Sequence, residues 1–159
     1  NARIMENTYP KDAGMQLRTG AKVLHQIGTC FENQQPYNTR EINTPPTWTA
    51  NLTARMLKIK AYYRCNDWNE IIAALNQNHP VSLGIKVDNA FINNLDGKIK
   101  SYEAQDFRGG HAVTIIGYDV MDGLELMNSW GKHWGREGFA YLNKKSFDVM
   151  FLDAWVITK

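Results

Sequence analysis

The stretch that decides the fold is GGHAVTIIGYDVMDGLELMNSWGKHWG, residues 109–135. Two short apolar runs, HAVTIIGYD and LELMN, flank a turn-forming segment, so we expect them to pair as a β-hairpin. His111 opens the first run directly after two glycines, and Asn128 ends the second run. Pairing of the two runs would bring the amide of Asn128 near the imidazole of His111.

That predicted pairing has a chemical consequence. An amide oxygen beside an imidazole can accept from one ring nitrogen, which fixes the tautomer and leaves the other nitrogen for a nucleophile. Trp130 and Trp134 are predicted to cover the bond and to keep water from competing for it. A purely structural hairpin end with two packed indoles is the alternative. The glycines of this segment favour the first interpretation, because their spacing is typical of a tightly folded loop: Gly131, Gly135 and Gly138.

The other three histidines are weaker candidates for chemistry. His25 falls within a predicted helix, His79 precedes a proline, and His133 stands in the glycine-rich segment after the hairpin. We predict that His25 and His79 are surface or packing residues and that His133 is exposed.

Composition places the chain among globular proteins. Of its 159 residues, 43% are hydrophobic and 21% are charged, and the net charge is +2. These values argue against a disordered chain and give no reason to expect nucleic acid or a membrane as a partner. Cys30 and Cys65 fit no zinc motif, so no metal and no cofactor are predicted. We expect the two cysteines to be buried thiols, and a disulfide between them in an oxidising compartment is the alternative.

The apolar pattern changes from helical to strand-like along the chain, which predicts an α+β fold. A helix capped by Asp12 should end at Gly28, and a second helix should begin after Asn66 or Asp67 and end before Pro80. The segment between them is expected to be a polar surface loop with at most a short helical turn. The later runs predict strands of a mostly antiparallel sheet: VSLGIKV, HAVTIIGYD, LELMNSW, GFAYLN and AWVIT.

The residues around His111 and Asn128 resemble the His and Asn blocks of the papain-like cysteine peptidases. Upstream, GMQLRTGAKVLHQIGTC and YYRCNDWNEIIAALNQNHPVSLGIKV are similar to segments that precede those blocks in the family. The resemblance covers the whole chain but only about the later two-thirds of the family domain. It implies that residues 1–159 form a single papain-like domain that is incomplete at its N-terminus and lacks the catalytic helix.

The family's Cys block and the Gln before it do not occur among the 159 residues. Cys30 follows the C-terminal end of a predicted helix, where the dipole disfavours a thiolate. By the resemblance, Cys65 belongs to a connecting strand away from the cleft. Both are therefore expected to be structural, and the chain alone is predicted to be inactive.

The resemblance also implies roles for individual residues. A thiolate supplied by a Cys-bearing N-terminal segment or companion chain would attack a peptide or protein substrate. His111 would transfer the proton, and Asn128 would orient His111. A roomy hydrophobic pocket for the second residue on the acyl side would be lined by Gly84, Gly110, Ala112 and Leu152. The alternative is a non-catalytic scaffold or binding module, and secreted, lysosome-like and virion- or cell-associated locations all stay open.

Overall fold

The computed structural model describes residues 1–101 and 106–159 of the chain. These residues divide into a helical unit, residues 1–62 and 157–159, and a sheet unit, residues 63–156. Helices and a mostly antiparallel sheet are both present, which confirms the α+β prediction. Within the described ranges, no helix is long and apolar enough to cross a membrane.

The helical unit contains α1 Ala2–Met5, α2 Leu17–Gln26 and α3 Trp48–Met56. The predicted cap of α2 at Asp12 is wrong, because the helix begins after Gln16. Gly14 has a φ of 68°, a left-handed conformation that cannot continue a right-handed helix, so the chain becomes helical only beyond it. The end of α2 before Gly28 is as predicted.

The segment between the two predicted helices holds α3, a nine-residue helix where at most a short turn was expected. The Thr47 hydroxyl caps it by accepting the Ala50 N–H at 3.1 Å. Its buried positions are Ala50 and Ala54, one helical turn apart. Because alanine is only weakly hydrophobic, these two buried positions do not stand out as an apolar pattern in an otherwise polar sequence.

The later elements in chain order are β1 Ala61–Cys65, α4 Trp68–Asn76, β2 Val81–Val87, α5 Asn89–Ile92, β3 Lys98–Ile99, β4 Gly109–Asp119, β5 Gly123–Met127, β6 Phe139–Leu142, α6 Lys144–Met150 and β7 Phe151–Thr158. The strands form one sheet with the order β1-β7-β2-β4-β5-β6-β3. β2 pairs antiparallel with β4 and with β7, β5 pairs antiparallel with β4 and with β6, and β3 pairs parallel with β6. The second predicted helix is α4, and the side chain of its cap, Asp67, accepts the Glu70 N–H.

The predicted hairpin is the pair β4 and β5. Thr114 lies opposite Met127, and Ile115 lies opposite Leu126. The turn is held by the Asp119 carboxylate, which accepts the N–H groups of Asp122 and Met121 and thereby has its pKa lowered from its ordinary value. β5 ends at Met127, so the residues from Asn128 to Trp130 lie beyond the strand that was predicted to include them.

Strand alternation gives the sheet two distinct faces. The core face is apolar except at His111 and is covered by side chains of α4, α5 and α6, among them Ile71, Phe91 and Phe147. The opposite face, called here the outer face, carries Gly84 and Lys86 of β2 opposite Ala112 and Gly110 of β4. Buried core-face side chains of the strands are Val81, Leu83, Ile85, Val113, Ile115, Leu124 and Leu126.

Candidate active site

His111 and Asn128 meet at one end of the β4–β5 hairpin. His111 lies near the start of β4, opposite Ile85 of β2. Asn128 follows the last residue of β5, and its backbone N–H donates to the Gly138 carbonyl at 2.9 Å. The distance from His111 Nε2 to Asn128 Oδ1 is 2.8 Å, within the range of a direct hydrogen bond.

A second bond determines which end of the Asn128 amide faces the imidazole. Asn128 Oδ1 also accepts the Ser129 backbone N–H at 2.8 Å. Because a backbone N–H can only donate, the oxygen of the amide must lie at this position. His111 Nε2 must then carry a proton to bond that oxygen, and in the neutral ring Nδ1 keeps the free lone pair.

The amide nitrogen of Asn128 has no hydrogen-bond partner in the part of the chain that the structure describes. Among the described residues, Asn128 Nδ2 is buried and makes no hydrogen bond. An amide donor left unpaired in a buried position costs about 1–3 kcal/mol. The site therefore has a donor available for an acceptor that these residues do not supply.

Aromatic rings enclose the His111 imidazole on the side of the core. The ring centroids of His111 and Trp130 are 4.5 Å apart with a 32° interplanar angle, so the indole lies over the imidazole. Phe91 meets the imidazole edge-on, at 5.9 Å and 64°. Trp134 stands behind these two rings: it packs on Phe91 at 4.9 Å, and its Nε1 donates to the Phe91 carbonyl at 2.8 Å.

Phe91 is a site residue that the sequence prediction missed. It belongs to α5, a four-residue helix capped by Asp88, whose carboxylate accepts the Phe91 N–H at 2.8 Å. Asp88 also accepts the Ser101 hydroxyl at 2.9 Å. The available signal was Asp88 as a cap three residues before a large aromatic residue.

The loop after Asn128 is as tightly folded as its glycines suggested. Gly135 has a φ of 58°, and a Cβ at this position would lie 2.4 Å from the Phe139 carbonyl oxygen. No side chain fits there without moving the backbone. His133 of the same loop is exposed, as predicted.

The four residues predicted to bind substrate lie together on the outer face. Gly84 and Ala112 are cross-strand partners, and Gly110 is the next outer-face residue of β4. Leu152 occupies a bulge of β7, and its Cδ1 lies 3.8 Å from the position of a Cβ on Gly110. Since β2 separates β7 from β4, the Leu152 side chain crosses β2. By alternation, His111 points to the core face of the same strand.

Cys65 does not have the surroundings of an activated thiol. Cys65, the last residue of β1, is 4% exposed, and burial, reinforced by the nearby carboxylates of Glu70 and Asp67, raises the pKa of its thiol. Cys30 lies in the loop after α2, in the helical unit, and both cysteines are free thiols. In the described ranges, no three side chains of the His, Cys, Asp and Glu types converge as a metal site would require.

Comparison with known proteins supplies a family. The sequence pattern of the papain family cysteine proteases matches residues 12–153. An uncharacterized peptidase C1-like protein of Acanthamoeba polyphaga mimivirus is 29% identical, over 99% of this chain and 56% of the viral protein. Peptidase 1 of Euroglyphus maynei is 31% identical, over 80% of this chain and 41% of its own length. The chain thus spans about half the length of these relatives.

The fold comparison agrees with the sequence comparison. The crystal structure of xylellain, a cysteine protease from Xylella fastidiosa, superposes with a TM-score of 0.89 and 28% identity, covering 100% of this chain and 67% of xylellain. The Carica candamarcensis cysteine protease CMS1MS2, solved in complex with E-64, has a TM-score of 0.68 at 20% identity, over 92% of this chain and 69% of that one. At that lower identity the likeness shows the fold alone.

Proposed function

This chain belongs to the papain family of cysteine proteases, and from that premise we propose that it carries the His-Asn half of a thiol protease's catalytic site. His111 is the proton-transfer residue, and Asn128 is the residue that orients it. The observation that carries the proposal is the 2.8 Å contact between His111 Nε2 and Asn128 Oδ1, whose direction is set by the Ser129 N–H. The nucleophile is a cysteine on a segment beyond these 159 residues.

The proposed reaction uses the free Nδ1 of His111. Nδ1 accepts the proton of the cysteine thiol, and the resulting thiolate attacks the carbonyl carbon of a peptide bond. The imidazolium then gives its proton to the leaving amine, and an acyl-enzyme remains. In the second half, His111 takes a proton from water, the hydroxide oxygen attacks the acyl carbon, and the carboxylic acid product leaves while the thiol is restored.

Asn128 and Trp130 support this proton transfer without entering it. The Nε2–H of His111 stays bonded to Asn128 Oδ1 in both the neutral and the charged ring, so Nδ1 keeps its direction. Trp130 lies over the ring at 4.5 Å, where its π-face favours the imidazolium and its bulk excludes water from the amide contact.

Two features support a further segment that completes the site. Asn128 Nδ2 is buried without an acceptor among the described residues. Outside the predicted substrate-binding residues, the sheet unit also exposes large apolar side chains, among them Ile116 at 40% and Met127 at 44%. Exposed apolar patches mark surfaces that bind another segment or partner. A Cys-bearing segment, on the same chain or on a companion chain, would supply the nucleophile and cover these side chains.

The alternative function is a non-catalytic scaffold or binding module. The observation that favours it is the state of the thiols, because Cys65 is buried with a raised pKa and Cys30 lies in the helical unit. In that case the contact between His111 and Asn128 would be a structural remnant. The two functions differ in whether any form of the protein hydrolyses peptides through His111.

The test uses the protein expressed together with its own upstream coding sequence. Thiol-dependent hydrolysis of peptidyl-coumarin substrates is measured for the wild type, for His111→Ala and for His133→Ala. His133, exposed on the neighbouring loop, is the matched control. We expect His111→Ala to lower kcat/KM by at least about a thousandfold and His133→Ala to leave it within about twofold. Activity that survives His111→Ala, or no hydrolysis by the wild type, would refute the proposal.

A further inference from the structure

Two cationic side chains, those of Lys86 and Arg108, lie at the end of β2 and β4 nearest to His111. Lys86 lies directly opposite Gly110 and two residues beyond Gly84 along β2, so its side chain borders the surface formed by Gly84, Gly110, Ala112 and Leu152. This surface is called here the outer-face pocket.

The Lys86 ammonium has no carboxylate partner within ion-pair distance among the described residues. It lies 5.3 Å from the centroid of the Phe107 ring, which packs, partly buried, against the core cluster. Arg108 adds a second positive charge at this end, and its Nε donates to the neutral Asn89 Oδ1 at 3.2 Å. Within residues 1–101 and 106–159, neither of these two cations has a carboxylate within ion-pair distance.

The carboxylate closest in register is directed elsewhere. Asp153 lies opposite Gly84, but its Oδ2 accepts the Trp155 Nε1–H at 2.7 Å. Trp155 lies opposite Ser82. Ser82 precedes Gly84 by two residues along β2, whereas Lys86 follows Gly84 by two. The Asp153 carboxylate is thus turned along the sheet away from the cationic end. Two other acids lie nearby. Asp106, exposed and two residues before Arg108, forms no ion pair with Lys86 or Arg108, and Asp88 is buried, where its carboxylate accepts the Phe91 N–H and the Ser101 hydroxyl.

We infer that the outer-face pocket selects an acidic side chain and that Lys86 is the residue that determines this preference. The methylenes of a glutamate would pack on Ala112 and Leu152, and its carboxylate would meet the Lys86 ammonium, with Arg108 adding to the field. Resting on the proposed function, the inference assigns this glutamate to the second residue on the acyl side of the cut. The purely hydrophobic pocket expected from the sequence acquires a charged border.

The inference is tested by binding, which needs no nucleophile. The 159-residue chain is titrated with acetyl-glutamyl-glycine amide and with its neutral isostere acetyl-glutaminyl-glycine amide, and backbone amide shifts are followed by NMR. We expect both peptides to shift Gly110 and Ala112, with Kd about three- to tenfold lower for the glutamyl peptide, the range of a partly exposed ion pair. Raising the ionic strength should reduce the difference.

Three variants identify the source of the preference. Lys86→Met should abolish it, while Lys22→Met, at an exposed lysine of α2, should leave it unchanged. Lys86→Glu should reverse it, so that acetyl-lysyl-glycine amide binds more tightly than the glutamyl peptide. A reversal requires a folded pocket and cannot come from loss of structure.

Equal affinity of the wild type for the glutamyl and glutaminyl peptides would overturn the inference. So would a preference that persists in Lys86→Met, or the absence of any shift at Gly110 and Ala112 with either peptide. These outcomes are independent of catalysis. A preference for the glutamyl peptide in a protein that hydrolyses nothing would refute the proposed function alone, and hydrolysis without this preference would refute the inference alone.

Discussion

Asn128 holds His111 by a bond whose direction is fixed: the amide oxygen that accepts the imidazole Nε2–H at 2.8 Å also accepts the Ser129 N–H. The orientation of the ring therefore comes from a backbone donor next to Asn128 in the sequence. A site built in this way presents Nδ1 as its only free basic atom on the ring.

We expect Trp134→Ala and Trp130→Ala to lower the free energy of unfolding by different amounts. Trp134 is 3% exposed and donates to the Phe91 carbonyl, so Trp134→Ala should lower the free energy of unfolding by about 3–5 kcal/mol. Trp130 is half-buried, and Trp130→Ala should cost less while loosening the His111 ring. Urea denaturation measures both, and equal losses for the two variants would contradict these positions.

Gly135 should be irreplaceable for steric reasons. Gly135→Ala places a Cβ 2.4 Å from the Phe139 carbonyl oxygen, and we expect a loss of more than about 2 kcal/mol in the free energy of unfolding. Gly14 is the matched control, since its φ is also positive but a Cβ there meets nothing within 4 Å. Gly14→Ala should cost about 1 kcal/mol, the backbone strain alone. A similar loss for both would show that no collision occurs at Gly135.

Cys65 should behave as a buried structural thiol. Its raised pKa lowers the thiolate fraction at neutral pH, so alkylation by iodoacetamide at pH 8 should be at least about tenfold slower in the folded chain than in guanidinium. Because the pKa is raised in the folded state, stability is fully present below the ordinary thiol pKa and falls as the pH rises through the folded value. Cys65→Ala should remove that part of the alkaline loss. Rapid alkylation of folded Cys65 would contradict its burial.

The exposed apolar side chains of the sheet unit should make the isolated chain prone to self-association. Ile116, Met127 and Leu152 are each at least 40% exposed. We expect the 159-residue chain alone to bind a hydrophobic dye or to self-associate in size-exclusion chromatography with light scattering. Ile116→Thr should reduce either effect. A monomer that binds no dye would remove the support for a covering segment.

Much of the fold could be predicted from periodicity, because α4, β2 and the β4–β5 hairpin have strong apolar patterns. What escaped prediction was short or weakly patterned. α5 has four residues and depends on a cap by Asp88, β3 has two residues, and α3 buries only alanines. The start of α2 was misplaced because the sequence does not show that Gly14 takes a positive φ.

The site shows the same division. His111, Asn128 and Trp130 could be brought together from the hairpin pattern, and Gly84, Gly110, Ala112 and Leu152 from the family resemblance. Phe91, the direction of the Asn128 amide and the border formed by Lys86 could not. Phe91 and Lys86 depend on contacts between residues that are far apart in the chain. The direction of the Asn128 amide depends on one hydrogen bond from the Ser129 backbone N–H.

The contact between His111 and Asn128 can be tested most directly by the imidazole proton itself. At neutral pH, NMR of ¹⁵N-labelled chain should show a slowly exchanging proton on His111 Nε2 in the wild type. Asn128→Ala should lose that signal because water reaches the nitrogen, whereas Asn128→Asp, which keeps an oxygen acceptor, should retain it. A proton found on Nδ1 in the wild type, or an Nε2 proton that persists unchanged in Asn128→Ala, would contradict the role assigned to Asn128.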